Sequence, residues 1–116
     1  MKSTRAVVDN HLKCFGEGDL DGIMSDYAPD AVLLTADGVR RGPAAIRPLL
    51  AAMIDEFGQP GTTFALHSLH VEGEHAFISW TAETPVQRYE LATDTFCVLN
   101  GRIAVQSFAA RTTPAT

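Results

Sequence analysis

The sequence predicts an α+β domain, with helices packed on one face of a mostly antiparallel sheet. Three observations carry this expectation. Apolar residues recur at helical spacing in three segments before Gly61, and after Gly61 the pattern changes to an alternation of period two. Glu72-Gly73-Glu74 and Asn100-Gly101 are tight-turn sequences that fold long alternating runs into antiparallel hairpins. Helices and strands do not alternate, which argues against a parallel, doubly wound sheet.

Ser3 or Thr4 can cap a first helix, in which Val8, His11, Leu12 and Phe15 share a face and Gly16 and Gly18 mark the end. Asp19 suits the cap of a short second helix carrying Leu20, Ile23, Met24 and Tyr27. Ala28-Pro29-Asp30 is expected to turn the chain. A small hairpin follows, from residues 31–35 through Ala36-Asp37-Gly38 to residues 39–41. Gly42-Pro43 opens a third helix whose inner stripe is Ile46, Leu49, Leu50, Met53, Ile54 and Phe57. Pro48 should kink it or split off its first turn, because the ring clashes with the preceding turn and has no N–H to donate. Gly58 and Pro60 end the helix, and strands are expected over residues 62–72, 75–83, 88–99 and 102–111. The element order is ααββαββββ.

The 116 residues suit one domain, 1–116, and 46% hydrophobic with 20% charged residues is the balance of a globular chain. No apolar run approaches the roughly 18 residues of a membrane span, and Met1–Val8 lacks a secretory pattern, so a soluble, cytoplasmic protein with no membrane partner is expected. Cys14 and Cys97 lack the spacing of a zinc site and are read as reduced structural thiols. A net charge of −5 with scattered basic residues argues against nucleic acid as a partner. No phosphate-binding glycine loop or nucleophile elbow is present, so no cofactor is expected. His67 and His70 stand three apart in a strand, on opposite faces, and His75 lies beside a turn; all three are read as surface residues, and no metal is expected.

One residue breaks the pattern. Period-two alternation places Ala92, Asp94, Phe96 and Val98 on one face of their strand, and a carboxylate there costs several kcal/mol unless it is paired, wetted or protonated. The inward stripe of the first helix carries His11. If the helices cover the Asp94 face, the two can meet in a hydrogen bond that offsets the burial of each and can serve as a general acid/base pair; a purely structural pair is the alternative. Leu91, Thr93, Thr95, Cys97 and Leu99 make the opposite face apolar too, which predicts a homodimer through the outer face of the sheet. Trp80 and Ile78 point inward with Ala76, and Tyr27 and Tyr89 bring hydroxyls that need partners if buried.

The succession Gly18-Asp19-Leu20-Asp21-Gly22-Ile23, Tyr27-Ala28-Pro29-Asp30-Ala31-Val32, Arg41-Gly42-Pro43-Ala44-Ala45-Ile46-Arg47, Thr93-Asp94-Thr95-Phe96 and Asn100-Gly101-Arg102-Ile103 resembles the NTF2-like superfamily, nearest to its SnoaL-like and ketosteroid-isomerase-like branch. The resemblance implies a cone-shaped α+β barrel, also called cystatin-like, in which a curved sheet wraps a long helix around an apolar pocket, commonly in a homodimer. Ketosteroid isomerase uses an aspartate base and an oxyanion hole made by a tyrosine and a protonated aspartic acid. By resemblance Asp94 matches the second aspartate, and His11 falls where the tyrosine sits. Thr35 falls where the base sits and cannot abstract a carbon-bound proton, while Asp37, two positions on, keeps the same strand face. The expected function is binding of a small apolar molecule bearing a carbonyl or hydroxyl, with proton-transfer chemistry (isomerisation, hydration or elimination) by His11 and Asp94. Phe15, Tyr27, Thr35, Asp37, Trp80 and Phe96 are the expected pocket. A non-catalytic ligand-binding or dimerisation domain is the alternative.

Overall fold

The computed structural model describes residues 1–115. Its elements are α1 (Thr4–Glu17), α2 (Leu20–Met24), β1 (Tyr27–Thr35), β2 (Gly38–Arg41), α3 (Pro43–Phe57), β3 (Thr63–Glu72), β4 (His75–Glu83), β5 (Gln87–Leu99) and β6 (Arg102–Pro114), in the expected order ααββαββββ. The helix ends follow local chemistry. Ser3 accepts from the Ala6 N–H at the start of α1, Gly18 closes it at φ 70°, and Asp19 accepts from the Gly22 N–H to start α2. Among the described residues no helix is long and apolar enough to cross a membrane.

The strands form one six-stranded open sheet in the order β2-β1-β6-β5-β4-β3. All neighbours are antiparallel except β1 and β6, which run parallel. Its curvature has identifiable sources. An extra residue interrupts the ladder at His67 in β3, at Glu90 in β5 and at Ala104 in β6, and each such bulge bends its strand and increases its twist. The hollow of the curved sheet is filled by the helices, with α1 against β4 and β5 and α3 against β1 and β2. Val7, Val8, Ile23, Leu33, Ile46, Phe96 and Ile103 are almost fully enclosed between the layers. The N-terminal segment is tied across the strand turns, since Thr4 Oγ1 donates to the Gly73 carbonyl at 2.7 Å. Beneath it the enclosed Asp26 accepts from Asn10 Nδ2 at 2.7 Å, with Lys2 Nζ at 3.5 Å.

Two local expectations are corrected. Ala28-Pro29-Asp30 does not turn the chain: β1 passes through it, and five steps from Tyr27 to Val32 match two steps from Ile103 to Val105 on β6. The surplus backbone swings outward and leaves Pro29 and Asp30 exposed, where a missing N–H breaks no ladder bond. Of the two outcomes expected at Pro48, a kink or a separate first turn, the second does not occur, and α3 is one helix from Pro43 to Phe57. The Pro48 ring faces solvent, and Arg40 Nη1 donates to the neighbouring Ala45 carbonyl at 2.8 Å, supplying side-chain support where the helix ladder is weakened.

Candidate functional site

Between the helices and the concave face of the sheet lies a cavity of about 440 Å³. Its wall is mostly aliphatic and aromatic: Leu12 and Phe15 from α1, Leu49, Met53 and Phe57 from α3, and Leu33, Ile78 and Phe108 from the sheet. The ends of α1 and α3 and the start of β3 contribute Glu17, Gly18, Gly58 and Phe64, all exposed. That end is therefore the opening. Polar groups converge elsewhere in the wall, where His11, Trp80, Asp94 and Gln106 meet the same space.

Asp94 reaches it because Ala92, Asp94, Phe96 and Val98 do face the helices, all of them buried. Its oxygens are each held by one neutral donor: Trp80 Nε1 to Oδ2 and Gln106 Nε2 to Oδ1, both at 2.9 Å. Gln106 Oε1 in turn accepts from the buried Tyr27 hydroxyl. None of the ion pairs among the described residues involves Asp94. Burial pushes its pKa up to about 6, and the two hydrogen bonds pull the other way without restoring the ordinary value. Burial also pushes Tyr27 well above the usual phenol range, helped by the charges of Asp94 and Asp26.

His11 does not bond to Asp94. The expected pair is replaced by the Trp80 and Gln106 contacts, and His11 Nδ1, enclosed by the protein, has no partner among the described residues. The imidazole packs edge-on against Phe96 and Tyr27, with ring centroids 5.2 and 6.0 Å away. Without a carboxylate against it, burial alone acts and lowers its pKa to about 4, so the ring is neutral at physiological pH. The two groups share the cavity wall as a neutral imidazole and a carboxyl poised near neutrality.

Of the other expected pocket residues, Phe15 and Trp80 line the cavity. Tyr27 and Phe96 do not: they are buried behind it, under Gln106 and His11 respectively. Thr35 and Asp37 lie at the end of β1, where Asp37 is in the exposed turn and its backbone N–H bonds Thr35 Oγ1 at 3.2 Å. Neither reaches the cavity, since the strand ends before its alternation can carry Asp37 inward. Gln106 is the residue that sequence reading missed. Simple alternation from the inward Ile103 would turn Val105 in and Gln106 out. The bulge at Ala104 reverses this, pairing Val98 with Ile103 but Cys97 with Val105 and Phe96 with Gln106. The sequence held no signal for it, since β6 also carries Ser107 and Arg111 and Gln106 does not stand out among them.

The bulge at His67 has a parallel effect on the histidines. His67 Nε2 meets Thr81 Oγ1 at 2.8 Å and His70 stacks on Phe77, so both face the outer side, contrary to the expected opposite faces; all three strand histidines are exposed. Among the described residues no three His, Cys, Asp or Glu side chains are grouped to hold a metal ion.

A family model for the SnoaL-like domain matches residues 8–106. The chain belongs to this family. No curated protein matches the chain by sequence. Among solved structures, the epoxide hydrolase/cyclase-like enzyme SalBIII, of pyran ring formation in the polyether salinomycin, superposes with a TM-score of 0.78 at 19% identity, over 93% of this chain and 90% of that one. A candidate ketosteroid isomerase from Kribbella flavida DSM 17836 gives 0.75 at 14% identity, over 93% and 77%. A candidate polyketide cyclase from Sinorhizobium meliloti gives 0.73 at 21% identity, over 89% and 93%. At these identities the likeness establishes the NTF2-like, cystatin-type fold, with three helices on a curved, unclosed, mostly antiparallel sheet; one such fold hosts many chemistries.

Proposed function

We propose that this SnoaL-like domain binds a small, mostly apolar molecule carrying a carbonyl or hydroxyl and moves a proton on it, with Asp94 as the proton-transfer group. One observation carries the reading: an uncompensated carboxyl with a pKa of about 6 on the wall of an apolar cavity, held by two neutral donors. A group whose pKa lies near the working pH is in a usable protonation state and still has driving force for the transfer. The neutral His11 presents a hydrogen-bonding ring to the same space and serves as the polarising or anchoring partner, replacing the general acid/base role expected from sequence. The isomerase and cyclases among the structural neighbours are compatible with this class of chemistry.

The cavity also bounds the ligand. At roughly 30 Å³ per water-sized group, 440 Å³ accommodates on the order of 15 such groups, which suits a compact one- or two-ring compound. The test is deuterium incorporation next to the carbonyl of small cyclic ketones and enones incubated with the protein in D2O, read by NMR. Incorporation by the wild type that is lost in Asp94→Asn is the expected result. Equal incorporation by both proteins sinks the proposal.

The homodimer is proposed on the same footing. The outer face of the sheet exposes Phe77, Leu91, Leu99 and Val105, apolar side chains that a second copy of the sheet would cover.

A further inference from the structure

The hydrogen bonds behind the cavity have a direction. The Trp80 indole can only donate, so Asp94 Oδ2 accepts from it whatever the charge of the carboxyl. The Gln106 amide could face Asp94 with either its NH2 or its carbonyl. Tyr27 decides between them. Its hydroxyl is buried and gives its proton to Gln106 Oε1. Turning the amide would set the NH2 against the phenol and strand that buried proton without an acceptor, which is the costly way to break a hydrogen bond.

We propose that Tyr27, from outside the cavity, locks Gln106 with its NH2 towards Asp94, so that a proton on Asp94 occupies only the lone pairs left to the cavity. A carboxylate has about four lone-pair sites, and Trp80 and Gln106 take one on each oxygen. The inference rests on the reading of Asp94 as the proton-transfer group. In the transfer, a C–H or O–H bond of the ligand breaks, its electron pair stays on the ligand, and the new O–H bond forms on a cavity-side lone pair of Asp94. From the cavity side that proton can return to the ligand or exchange with water entering by the opening, but it cannot pass into the protein. Were the amide free to turn, the protonated carboxyl could donate to Gln106 Oε1 instead and hide its proton inside the protein. Tyr27 and Gln106 are thus positioning residues.

Among the described residues, the only charged groups facing this network are Glu17 at the opening and Asp26 behind Tyr27. From α1 come the neutral His11 and, at the open end, Glu17; from β1 the neutral phenol of Tyr27, with Asp26 behind it; from β4 and β6 the uncharged Trp80 and Gln106; and the cavity residues of α3 and β3 carry no charge.

The experiment is a carbon-13 NMR titration of the Asp94 carboxyl in the full chain, with no ligand added. Tyr27→Phe should raise its midpoint by about one pH unit, because the released amide can turn and accept from the protonated form alone. Gln106→Leu should also raise it, by removing a donor to the carboxylate. Adding Tyr27→Phe to Gln106→Leu should then change nothing further, since Tyr27 acts only through the amide. An unmoved midpoint in folded Tyr27→Phe, or effects that add in the double variant, overturns the proposal. Should Tyr27→Phe not fold, the wild type decides: a Gln106 NH2 signal that shifts with Asp94, together with a slowly exchanging Tyr27 hydroxyl proton on both sides of the midpoint, supports the lock, and loss of that hydroxyl signal below the midpoint, as the amide turns, overturns it. None of these readings depends on turnover, so failure of the deuterium-incorporation test and failure of the lock are separable.

Discussion

Trp80 Nε1 donates to Asp94 Oδ2 at 2.9 Å across adjacent strands, on a diagonal in which Trp80 itself lies opposite Ala92 and Asp94 opposite Ile78. The long indole spans the diagonal that a shorter side chain could not. It also belongs to an aromatic group, with Phe57, Tyr89 and Phe108 at centroid distances of 5.8, 5.3 and 6.1 Å. Trp80 therefore both fills the core and holds the acid.

Trp80→Phe separates these roles. The lost packing is independent of pH, whereas the lost donor costs more when the carboxyl is ionised, because a hydrogen bond to a charged acceptor is the stronger one. The additional destabilisation at pH 8 relative to pH 5, read by urea unfolding at both pH values, is expected to be about 1–3 kcal/mol. The same loss at both pH values would show that the indole N–H does not support the charge.

Asp94 and His11 make opposite contributions to the pH dependence of stability. The Asp94 pKa is raised from 3.8 to about 6 on folding, so between those values the folded state binds more protons and stability falls as pH rises. The His11 pKa is lowered from 6.5 to about 4, so the unfolded state binds more protons there and stability rises with pH. Each effect is on the order of 3 kcal/mol, and they oppose one another between about pH 4 and 6. Relative to wild type, Asp94→Asn should gain stability as pH rises through this window, and His11→Leu should lose it. Curves parallel to wild type in both variants would show that neither group is perturbed.

Glu56 on α3 gathers the connection between β4 and β5. It accepts from Thr84 Oγ1 at 2.8 Å, from the Tyr89 hydroxyl at 3.1 Å and from Gln87 Nε2 at 3.3 Å, and together with burial its charge pushes Tyr89 up to about 12. Glu56→Ala leaves the largely buried Thr84 and Tyr89 hydroxyls without this acceptor and should cost about 2–3 kcal/mol, measured by thermal or urea unfolding. Hydrogen exchange should rise at residues 84–89 first. A change within a few tenths of a kcal/mol would mean that water replaces the carboxylate.

On the outer face of the sheet, sedimentation at micromolar concentration is expected to give a dimer that Phe77→Lys with Leu91→Lys converts to monomer without loss of fold. Both side chains are substantially exposed, at 38% and 53%, so the substitutions leave the core intact. A monomeric wild type removes the homodimer proposal.

The sequence by itself determined what is settled within a few residues: the Ser3 and Asp19 caps, the end of α1 at Gly18, the Asn100-Gly101 hairpin and the inward face of β5 that carries Asp94. Each depends on groups close along the chain, or on an alternation that runs unbroken from Ala92 to Val98. Tertiary structure alone decided what Asp94 touches. His11 stands on the correct helix face but packs on Phe96, and of the two actual partners, Trp80 and Gln106, the second is turned inward by an extra residue at Ala104 that no periodicity reveals. The contact that orients Gln106 joins residues 79 apart in sequence. A strand pattern encodes faces, but a single-residue bulge exchanges them, and which donor meets a buried carboxyl is then set by register between distant strands.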